Sequence, residues 1–375
     1  MNKQTTRPLR RLALAGAALA ALAAPMIAGS GCGNTLDSIS KIDGLRVLAV
    51  IPAVLDEAHP TLGTEETGSY ARPGDEVTFI MSYYDGYVDP TTGEQRSQTP
   101  QILWLAGCYN PPGDAYYGCY QQLAEVLQNF DPENPDLNYV GFGPSFTTRL
   151  PADIVSSRER PAVGPYYGIA YLFFAVCAGT IKAIPPSGGG QAGSFPLGCF
   201  DEAGNQLGAD SFVPGYTQIY AFDDDRLNQN PRVQGFTVDG ASAAEGLDQA
   251  VKVARCSVSD EERKAPASCS KQDPAEICTT YKLDIVADDT VAELDPDSSS
   301  SDGEPLKEVV WVDYFVDRGD LDTEIKLVND ATTGLIEDHS TTYLPPTEPG
   351  LVTVWAVVHD ARGGSTVLTR YLQVE

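Results

Sequence analysis

GLVTVWAVVHDARGGSTVLTRYLQVE, residues 350–375, contains the clearest structural pattern in the chain. Apolar side chains occupy every second position of its first half, at Val352, Val354, Ala356 and Val358. This period of two is typical of a β-strand with one buried face. The polar sequence 360–364 ends in two glycines and is typical of a turn, and a further apolar run follows over 366–374. The stretch therefore predicts a β-hairpin at the end of the chain.

The same alternation recurs upstream, at Val310, Val312, Tyr314 and Val316. Together with the hairpin, it predicts a set of strands at 232–239, 281–286, 309–316, 351–359 and 366–374. Between them, residues 295–304 (DPDSSSSDGE) have the composition of a disordered loop. A short series of strands that ends at the last residue is typical of an Ig-like module. The sequence of its last segment, 354–364, also resembles bacterial Ig-like and PKD-type modules.

The first half of the chain shows a second series of strands. We predict these at 45–50, 76–83, 102–106, 146–151, 166–184 and 216–222, with a short helix over 121–128. We expect Trp104 to lie in the core. The very apolar segment 166–184 is predicted to form a central, buried strand, which can be longer than a single crossing of the sheet. The polar segment 223–231 separates the two series. The fold class is therefore all-β, with two tandem Ig-like β-sandwich domains at 44–228 and 229–375.

Composition limits the function. The 375 residues include 52 acidic and 25 basic ones, so the formal charge is −27. This balance argues against a nucleic-acid partner, because phosphate binding needs a basic face. Only three histidines are present, which leaves little material for acid–base or metal chemistry, and we predict that the protein is not an enzyme.

Residues 1–31 have the pattern of a signal peptide. Four basic residues and no acidic one precede or flank the apolar run LALAGAALAALAA at 12–24, which is too short to span a bilayer. Small residues then precede Cys32, as in the lipobox of bacterial lipoproteins, which predicts lipid attachment at Cys32 and a tether over 32–43. The alternatives are a plain secretory signal and an uncleaved anchor. Removal of 1–31 would change the formal charge from −27 to −31.

Three further segments carry a family resemblance: GLRVLAV at 44–50, LNQNP at 227–231 and VWAVVHDARGG at 354–364. After a lipobox, this combination resembles the large surface lipoproteins of myxobacteria that contain Ig-like β-sandwich domains. The resemblance implies an exported protein held by a lipid anchor and transfers no activity or functional residue. Gly33 follows the cysteine, where many inner-membrane lipoproteins have Asp, so we expect an outer-membrane lipoprotein that faces the periplasm or the cell surface.

Export would place the remaining seven cysteines where disulfides persist. Spacing favours the local pairs Cys108–Cys119 and Cys177–Cys199. Cys256 can pair with Cys269 or with Cys278, which leaves one thiol over. A zinc site at the last three cysteines is the alternative, although no CxxC motif and no nearby histidine supports it.

Tyrosines are concentrated in and around the Cys108–Cys119 loop, at Tyr109, Tyr116, Tyr117 and Tyr120. Tyrosine provides a large contact area at low cost in conformational entropy, so this loop is a candidate contact surface. The alternative is that the four rings pack over the end of the sandwich.

Other motifs give weaker signals. GGGQAG at 188–193 matches a dinucleotide-binding pattern but lies between prolines, so we interpret it as a loop. Arg318-Gly319-Asp320 spells an adhesion tripeptide that recurs by chance, and His359 at a strand end has no serine-containing nucleophile motif. The acidic clusters are interpreted as a solvated surface, with weak Ca²⁺ binding as the alternative, and no cofactor or metal ligand is assigned.

These observations predict a non-catalytic interaction or structural module of the bacterial cell envelope. Its partners would be the membrane, through the lipid anchor, and an envelope protein or polysaccharide. Two alternatives stay open. One is a cation- or glycan-binding accessory subunit of an adhesion or secretion machine, and the other is a hydrolase that acts on envelope polymers.

Overall fold

The computed structural model describes residues 39–54, 68–128, 133, 135–184, 195–224, 226–259 and 278–375. Within these ranges the chain forms 23 β-strands, one α-helix and four short 3-10 helices. The all-β prediction is therefore confirmed. The strands form two sandwiches, which we call domain 1 and domain 2. The segment predicted to be a signal peptide and Cys32 lie outside the described residues.

Domain 1 contains the first ten strands and the helix α1. The strands are β1 (Leu45–Val54), β2 (Tyr70–Ala71), β3 (Glu76–Asp85), β4 (Gln101–Tyr109), β5 (Val140–Phe142), β6 (Ser145–Arg149), β7 (Tyr167–Cys177), β8 (Thr180–Ala183), β9 (Leu197–Phe200) and β10 (Phe212–Phe222). The helix α1 (Tyr120–Gln128) follows 3-10 helices at Pro112–Asp114 and Tyr116–Cys119. One sheet has the order β1-β3-β6, the other has the order β2-β10-β7-β4-β5, and β8 pairs with β9.

The core of domain 1 lies between these two sheets. Trp104 of β4 is fully buried there, between Phe146 and Phe174, whose ring centroids lie 6.0 and 5.6 Å from its own. The indole N–H donates to the carbonyl oxygen of Gly143 at 2.8 Å, so its polar atom is paired within the apolar core. Trp104 is thus a core residue, as the sequence predicts.

Domain 2 contains the other thirteen strands. They are β11 (Gly235–Val238), β12 (Ala241–Ser242), β13 (Val251–Val253), β14 (Tyr281–Val286), β15 (Leu294–Ser299), β16 (Pro305–Lys307), β17 (Val310–Val316), β18 (Asp320–Leu321), β19 (Ile325–Asp330), β20 (Gly334–Leu335), β21 (Thr341–Leu344), β22 (Gly350–Asp360) and β23 (Ser365–Val374). The 3-10 helices of this domain are Leu247–Gln249 and Asp289–Val291. Its main sheets have the orders β12-β11-β14-β21-β18 and β13-β23-β22-β17-β19-β20.

Both sandwiches have the same strand topology. In domain 1, β1, β3 and β6 are neighbours in one sheet, while β4, β7 and β10 are neighbours in the other. In domain 2, β11, β14 and β21 correspond to the first group, and β17, β22 and β23 correspond to the second. These groups are strands A, B, E and strands C, F, G of the immunoglobulin arrangement. The fold class is therefore that of two Ig-like β-sandwiches.

One prediction of local structure was wrong, that of a disordered loop over 295–304. The apolar segment 166–184 contains the central strand β7 and extends beyond one pass, because the chain turns at Gly179 and continues as β8. A side chain at Gly179 would lie 2.3 Å from the carbonyl oxygen of Phe200, so the turn needs glycine. The segment 295–304 is not a disordered loop but part of the hairpin β15–β16, closed by a turn at Gly303 (φ 82°).

A hydrophobic cluster joins the two domains side by side. Leu48 and Ala49 on the outer face of β1 pack against Trp355 and Val357 on the outer face of β22. All four residues are buried, and the ring of Tyr84 from β3 lies 4.7 Å from the ring of Trp355. Since β22 also contributes to the core of domain 2, this strand is buried on both faces.

The segment before β1 belongs to the folded body. Ile42 is 1% exposed and packs in the cluster between the domains. Its N–H donates to the carbonyl oxygen of Val316 at 2.8 Å, and the Val316 N–H donates to the Ser40 carbonyl oxygen at 2.9 Å. Residues 40–42, the last part of the segment predicted as a tether, are therefore fixed at the domain junction.

A buried polar network also spans the junction. Asn228 is fully buried and its amide nitrogen donates to Ser69 Oγ at 2.6 Å and to Asp360 Oδ2 at 3.1 Å. The neighbouring Arg362 donates from Nε to Glu308 Oε2 at 2.6 Å. These hydrogen bonds connect domain 1, the segment between the domains and the β22–β23 turn, so they fix the relative orientation of the domains.

Candidate contact surface

A disulfide holds the tyrosine-rich loop against domain 1. Cys108 near the end of β4 is bonded to Cys119, and both residues are fully buried. The loop reverses direction at Gly113 and Asp114, which have φ angles of 66° and 51°. It then enters the 3-10 helix Tyr116–Cys119, which leads directly into α1. The disulfide thus places the loop over the sheet that faces away from domain 2.

Four tyrosines form an exposed aromatic surface at this loop. Tyr116 stacks on Tyr216 of β10, with ring centroids 4.4 Å apart and an interplanar angle of 17°. Tyr117 and Tyr120 pack edge-on against Tyr116, at 5.8 and 6.3 Å. Tyr117 is 66% exposed, Tyr216 44% and Tyr116 37%. We call Tyr116, Tyr117, Tyr120 and Tyr216 the tyrosine shelf.

Buried aromatic rings support the shelf from below. The rings of Tyr171 and Phe173 on β7 lie 5.7 and 5.9 Å from the ring of Tyr216. The Tyr171 hydroxyl donates to the carbonyl oxygen of Asp114 at 2.7 Å, and burial raises the pKa of Tyr171 to about 12. Tyr171 therefore stays a neutral hydrogen-bond donor that ties the loop to the sheet.

An ion pair fixes the other side of the loop. Arg158 lies 3.0 Å from Asp114 and places its guanidinium group 4.7 Å from the centre of the Tyr167 ring. The Tyr167 hydroxyl donates to Asp114 Oδ2 at 2.8 Å. Charge-assisted hydrogen bonds of this kind are stronger than neutral ones, so they hold the shelf in one geometry. Both hydrogen bonds to the Asp114 carboxylate, from Arg158 and from Tyr167, go to Oδ2.

The structure brings together three of the four tyrosines singled out in the sequence. Tyr109 lies apart from Tyr116, Tyr117 and Tyr120, because it packs against the core of domain 1. Burial raises the pKa of Tyr109 to about 12. Tyr216 takes its place in the shelf. The sequence signal for Tyr216 is its even-numbered position in β10, which puts it on the same face as Tyr220.

The described residues contain three disulfides. Two are the pairs that the spacing favours, Cys108–Cys119 and Cys177–Cys199, and the third joins Cys256 to Cys278. Cys269 lies outside the described residues. Disulfides at this density are typical of proteins that fold in an oxidising compartment.

Replacing Cys108 and Cys119 together by serine should lower the free energy of unfolding by about 2–3 kcal/mol, because the unfolded chain loses a loop constraint. Denaturant unfolding monitored by circular dichroism measures this change. The paired serine variant at Cys177 and Cys199 is the matched control, since it removes a disulfide of longer sequence separation and should cost slightly more. An unchanged midpoint for the Cys108/Cys119 variant would contradict a structural role of this bond.

His359 lies in a cross-strand polar contact. Its Nδ1 lies 2.8 Å from Ser365 Oγ and its Nε2 lies 3.4 Å from Asp313 Oδ2, so the three side chains have the order of a hydrolase triad. However, Ser365 is only 7% exposed and the imidazole ring stacks on Trp311 at 5.4 Å. A buried hydroxyl offers no access to a substrate carbonyl, so the geometry favours stabilisation of the sheet.

The predicted acidic clusters are largely used in hydrogen bonds. Asp297 pairs with Arg226 at 2.6 Å, and Asp322 accepts the N–H of Thr342 at 2.8 Å. In the described ranges no group of three or more metal-binding side chains was found. The glycine-rich sequence 188–193 lies outside those ranges, and Arg318 of the adhesion tripeptide donates to the Glu348 carbonyl oxygen at 2.9 Å.

A groove of about 570 Å³ lies at the opposite rim of the same sheet. Its walls are formed by β4, the end of α1 and the β8–β9 hairpin, and include the apolar side chains of Leu103, Leu127, Phe142 and Leu197. Gln101 also lines it, but its side-chain oxygen Oε1 accepts the N–H of Ile181 at 3.0 Å. The groove therefore offers apolar contact area without a side chain arranged for chemistry.

Within the described ranges, no helix has both the length and the apolar character needed to cross a membrane.

Comparisons with known proteins add little on function. No protein-family model matches the chain, and no curated protein matches it. Among solved structures, the D00-D0 domain of Intimin is 10% identical with a TM-score of 0.19, over 87% of this chain and 100% of that one. Dimeric latent PorU from Porphyromonas gingivalis is 9% identical with a TM-score of 0.18, over 88% of this chain and 24% of that one. Scores of this size support no functional argument.

Proposed function

We propose that this chain is an exported envelope lipoprotein, anchored through Cys32, that acts as a non-catalytic interaction module. The observation that carries the proposal is the tyrosine shelf, with Tyr117 66% exposed on a loop fixed by a disulfide and an ion pair. A rigid, exposed aromatic surface loses little entropy on binding, and aromatic side chains are enriched at the centres of interfaces. The shelf would therefore be the contact surface for a partner.

The packing of the domains supports this role for the shelf. Domain 2 contacts the β1 side of domain 1, whereas the shelf lies on the opposite sheet, over β10 and β7. The cluster around Trp355 and the network around Asn228 join the domains into one body. In this arrangement the shelf is presented on a broad, firmly supported unit and stays accessible on its outer side.

The anchor and the body would be close together. Ile39, where the described part of the chain begins, lies seven positions after Cys32. The maximum reach of these seven steps is roughly 25 Å. Since Ile42 is fixed between the domains, the junction would lie near the membrane surface.

Replacing Cys32 with alanine should release the protein from membranes, because lipid attachment would be its means of anchoring. Cell fractionation followed by immunoblotting measures the distribution. The variant Cys269→Ser is the control, because it removes a cysteine outside the lipobox and should leave the protein in the membrane fraction. If C32A stayed with the membranes, the anchor proposal would be wrong.

The contact function is tested by capture of envelope material with the disulfide-intact body, residues 33–375. Wild type is compared with the double variant Tyr117→Ser/Tyr216→Ser and with the control Ile325→Ser/Leu327→Ser, which removes exposed apolar side chains from β19 in domain 2. We expect a partner that is retained by wild type and the control and lost by the shelf variant. Equal capture by all three proteins would remove the shelf as the contact surface.

A further inference from the structure

Strand β10 has an open edge beside the tyrosine shelf. It contains 11 residues and pairs along its whole length with β7 on one side. On the other side it pairs with β2 at Tyr220 and Ala221 only. Over 212–218 no strand pairs with this side in the described part of the chain. An open edge presents unpaired backbone donors and acceptors to another extended chain.

Pro214 shows which backbone groups face outward. Proline has no N–H and occurs in a sheet where that position faces solvent, so the nitrogen of Pro214 must point away from β7. Backbone direction alternates along a strand, so the N–H and C=O groups of Tyr216 and Gln218 point outward as well. Tyr216 and Gln218 are the next two residues of β10 whose backbone groups face the same edge as Pro214. The open edge therefore offers two donors and three acceptors within five residues.

The shelf lies on the face that side chains of an added strand would share. Tyr216 is itself one of the outward-facing edge residues, and Tyr116 stacks on it. An extended segment that pairs with β10 would place every second side chain over these rings. Hydrogen bonds from the edge would supply affinity, and the aromatic rings would select the side chains.

Charge indicates what kind of segment fits. Asp210 before β10 and Asp223 after it are both exposed, so each end of the strand carries a carboxylate. The whole chain has a formal charge of −27, which repels acidic partners and attracts basic ones over longer distances. A segment with lysine or arginine at both ends and apolar residues between them is complementary.

We propose that the edge of β10 binds an extended, basic polypeptide segment as an additional strand, with its alternate side chains on the tyrosine shelf. This inference rests on the proposed contact function and names its partner class. The partner would be a peptide, because both the open backbone edge of β10 and the rings of the tyrosine shelf would take part in binding.

The test uses phage-displayed twelve-residue peptides selected on the disulfide-intact body. We expect enriched sequences with apolar residues at alternate positions and basic residues at both ends. Their dissociation constants should increase at least tenfold in Gln218→Pro, which removes an outward N–H, and in Tyr216→Ser. The control Ile325→Ser should bind like wild type. In amide hydrogen exchange, the N–H groups of Tyr216 and Gln218 should become protected when the peptide binds.

Several outcomes would overturn the inference. If Tyr216→Ser weakens binding but Gln218→Pro does not, and the two amides stay unprotected, the shelf is a contact surface without strand addition, so only the inference fails. Binding of neutral glycans at the shelf with no peptide enriched has the same consequence. If neither variant changes the binding of any selected peptide or glycan, both the inference and the proposed contact function fail.

Discussion

Replacement of Arg362 with methionine should destabilise the protein by about 3–5 kcal/mol, the usual cost of removing one partner of a buried ion pair. The Arg362 side chain is 6% exposed and lies 2.6 Å from Glu308 and 3.0 Å from Glu293. Methionine fills a similar volume but leaves the Glu308 carboxylate, which is 1% exposed, without a cation. The free energy of unfolding at pH 7.5, obtained from denaturant titration, measures the loss.

The control for this variant is Lys252→Met. Lys252 also contacts a carboxylate, that of Glu375, but its side chain is 74% exposed. Exposed pairs contribute up to about 1 kcal/mol, so the control should change stability by less than that. A cost for Arg362→Met no larger than the cost for Lys252→Met would contradict the importance of the buried pair.

A double variant identifies the source of the cost. Since the unpaired charge of Glu308 is responsible, Arg362→Met combined with Glu308→Gln should lose less stability than the two single changes added together. The Arg362→Met effect should also be smaller at pH 5, where Glu308 can take up a proton. Strict additivity at both pH values would exclude this explanation.

Sequence pattern predicts what alternation and local spacing control. The period of two at Val352, Val354, Ala356 and Val358 predicts β22, and these residues do face the core of domain 2. The two short-range disulfides of domain 1 join cysteines that are 11 and 22 positions apart, so few other pairings compete with them. Local information is sufficient for such features.

The burial of the second face of β22 could not be predicted from strand alternation. Alternation indicates that one face is buried and assigns the other to solvent, yet Trp355 and Val357 on that other face are buried against β1. Their partners Leu48 and Ala49 lie about three hundred positions earlier. The pattern of a strand holds no information about which distant surface will cover it, so the domain junction could not be predicted.

Only part of the tyrosine shelf could be predicted, because contacts between residues distant in sequence are not visible in the pattern of one strand or loop. Tyr116, Tyr117 and Tyr120 are close in sequence, and their clustering is visible without a structure. Tyr216 joins them because the Cys108–Cys119 loop folds over β10, a contact between residues about one hundred positions apart. Tyr109 leaves the group because a bulge between Leu105 and Cys108 shifts the alternation of β4, so that the Tyr109 ring packs on the inner face of the strand.

The largest pH effect on stability should come from Glu308. Burial raises its pKa from 4.5 to about 7, and the nearby carboxylate of Asp360 acts in the same direction, while the hydrogen bond from Arg362 opposes them. Glu293, through its N–H and its carboxylate, and the amide of Asn329 complete the polar surroundings. In the interval between the two pKa values the folded state therefore binds more protons than the unfolded state.

It follows that the contribution of Glu308 is fully present below pH 4.5 and is lost as the pH rises through about 7. The pKa difference corresponds to about 3 kcal/mol. Glu308→Gln should abolish this part of the decline, because glutamine stays neutral and its carbonyl oxygen can still accept the N–H of Glu293. Denaturant unfolding of both proteins between about pH 4.5 and 8 gives the two slopes.

Two comparisons make the result specific to Glu308. Burial also raises the pKa of Asp317, so a slope of the same sign should persist in Glu308→Gln at reduced size. Glu304→Gln removes an exposed carboxylate from the nearby β15–β16 turn and should leave the wild-type slope unchanged. If Glu308→Gln and Glu304→Gln had the same pH dependence, Glu308 would be ionised throughout this range. Arg362 alone would then balance the charge of Glu308, and the stability of the junction would not depend on pH in this range.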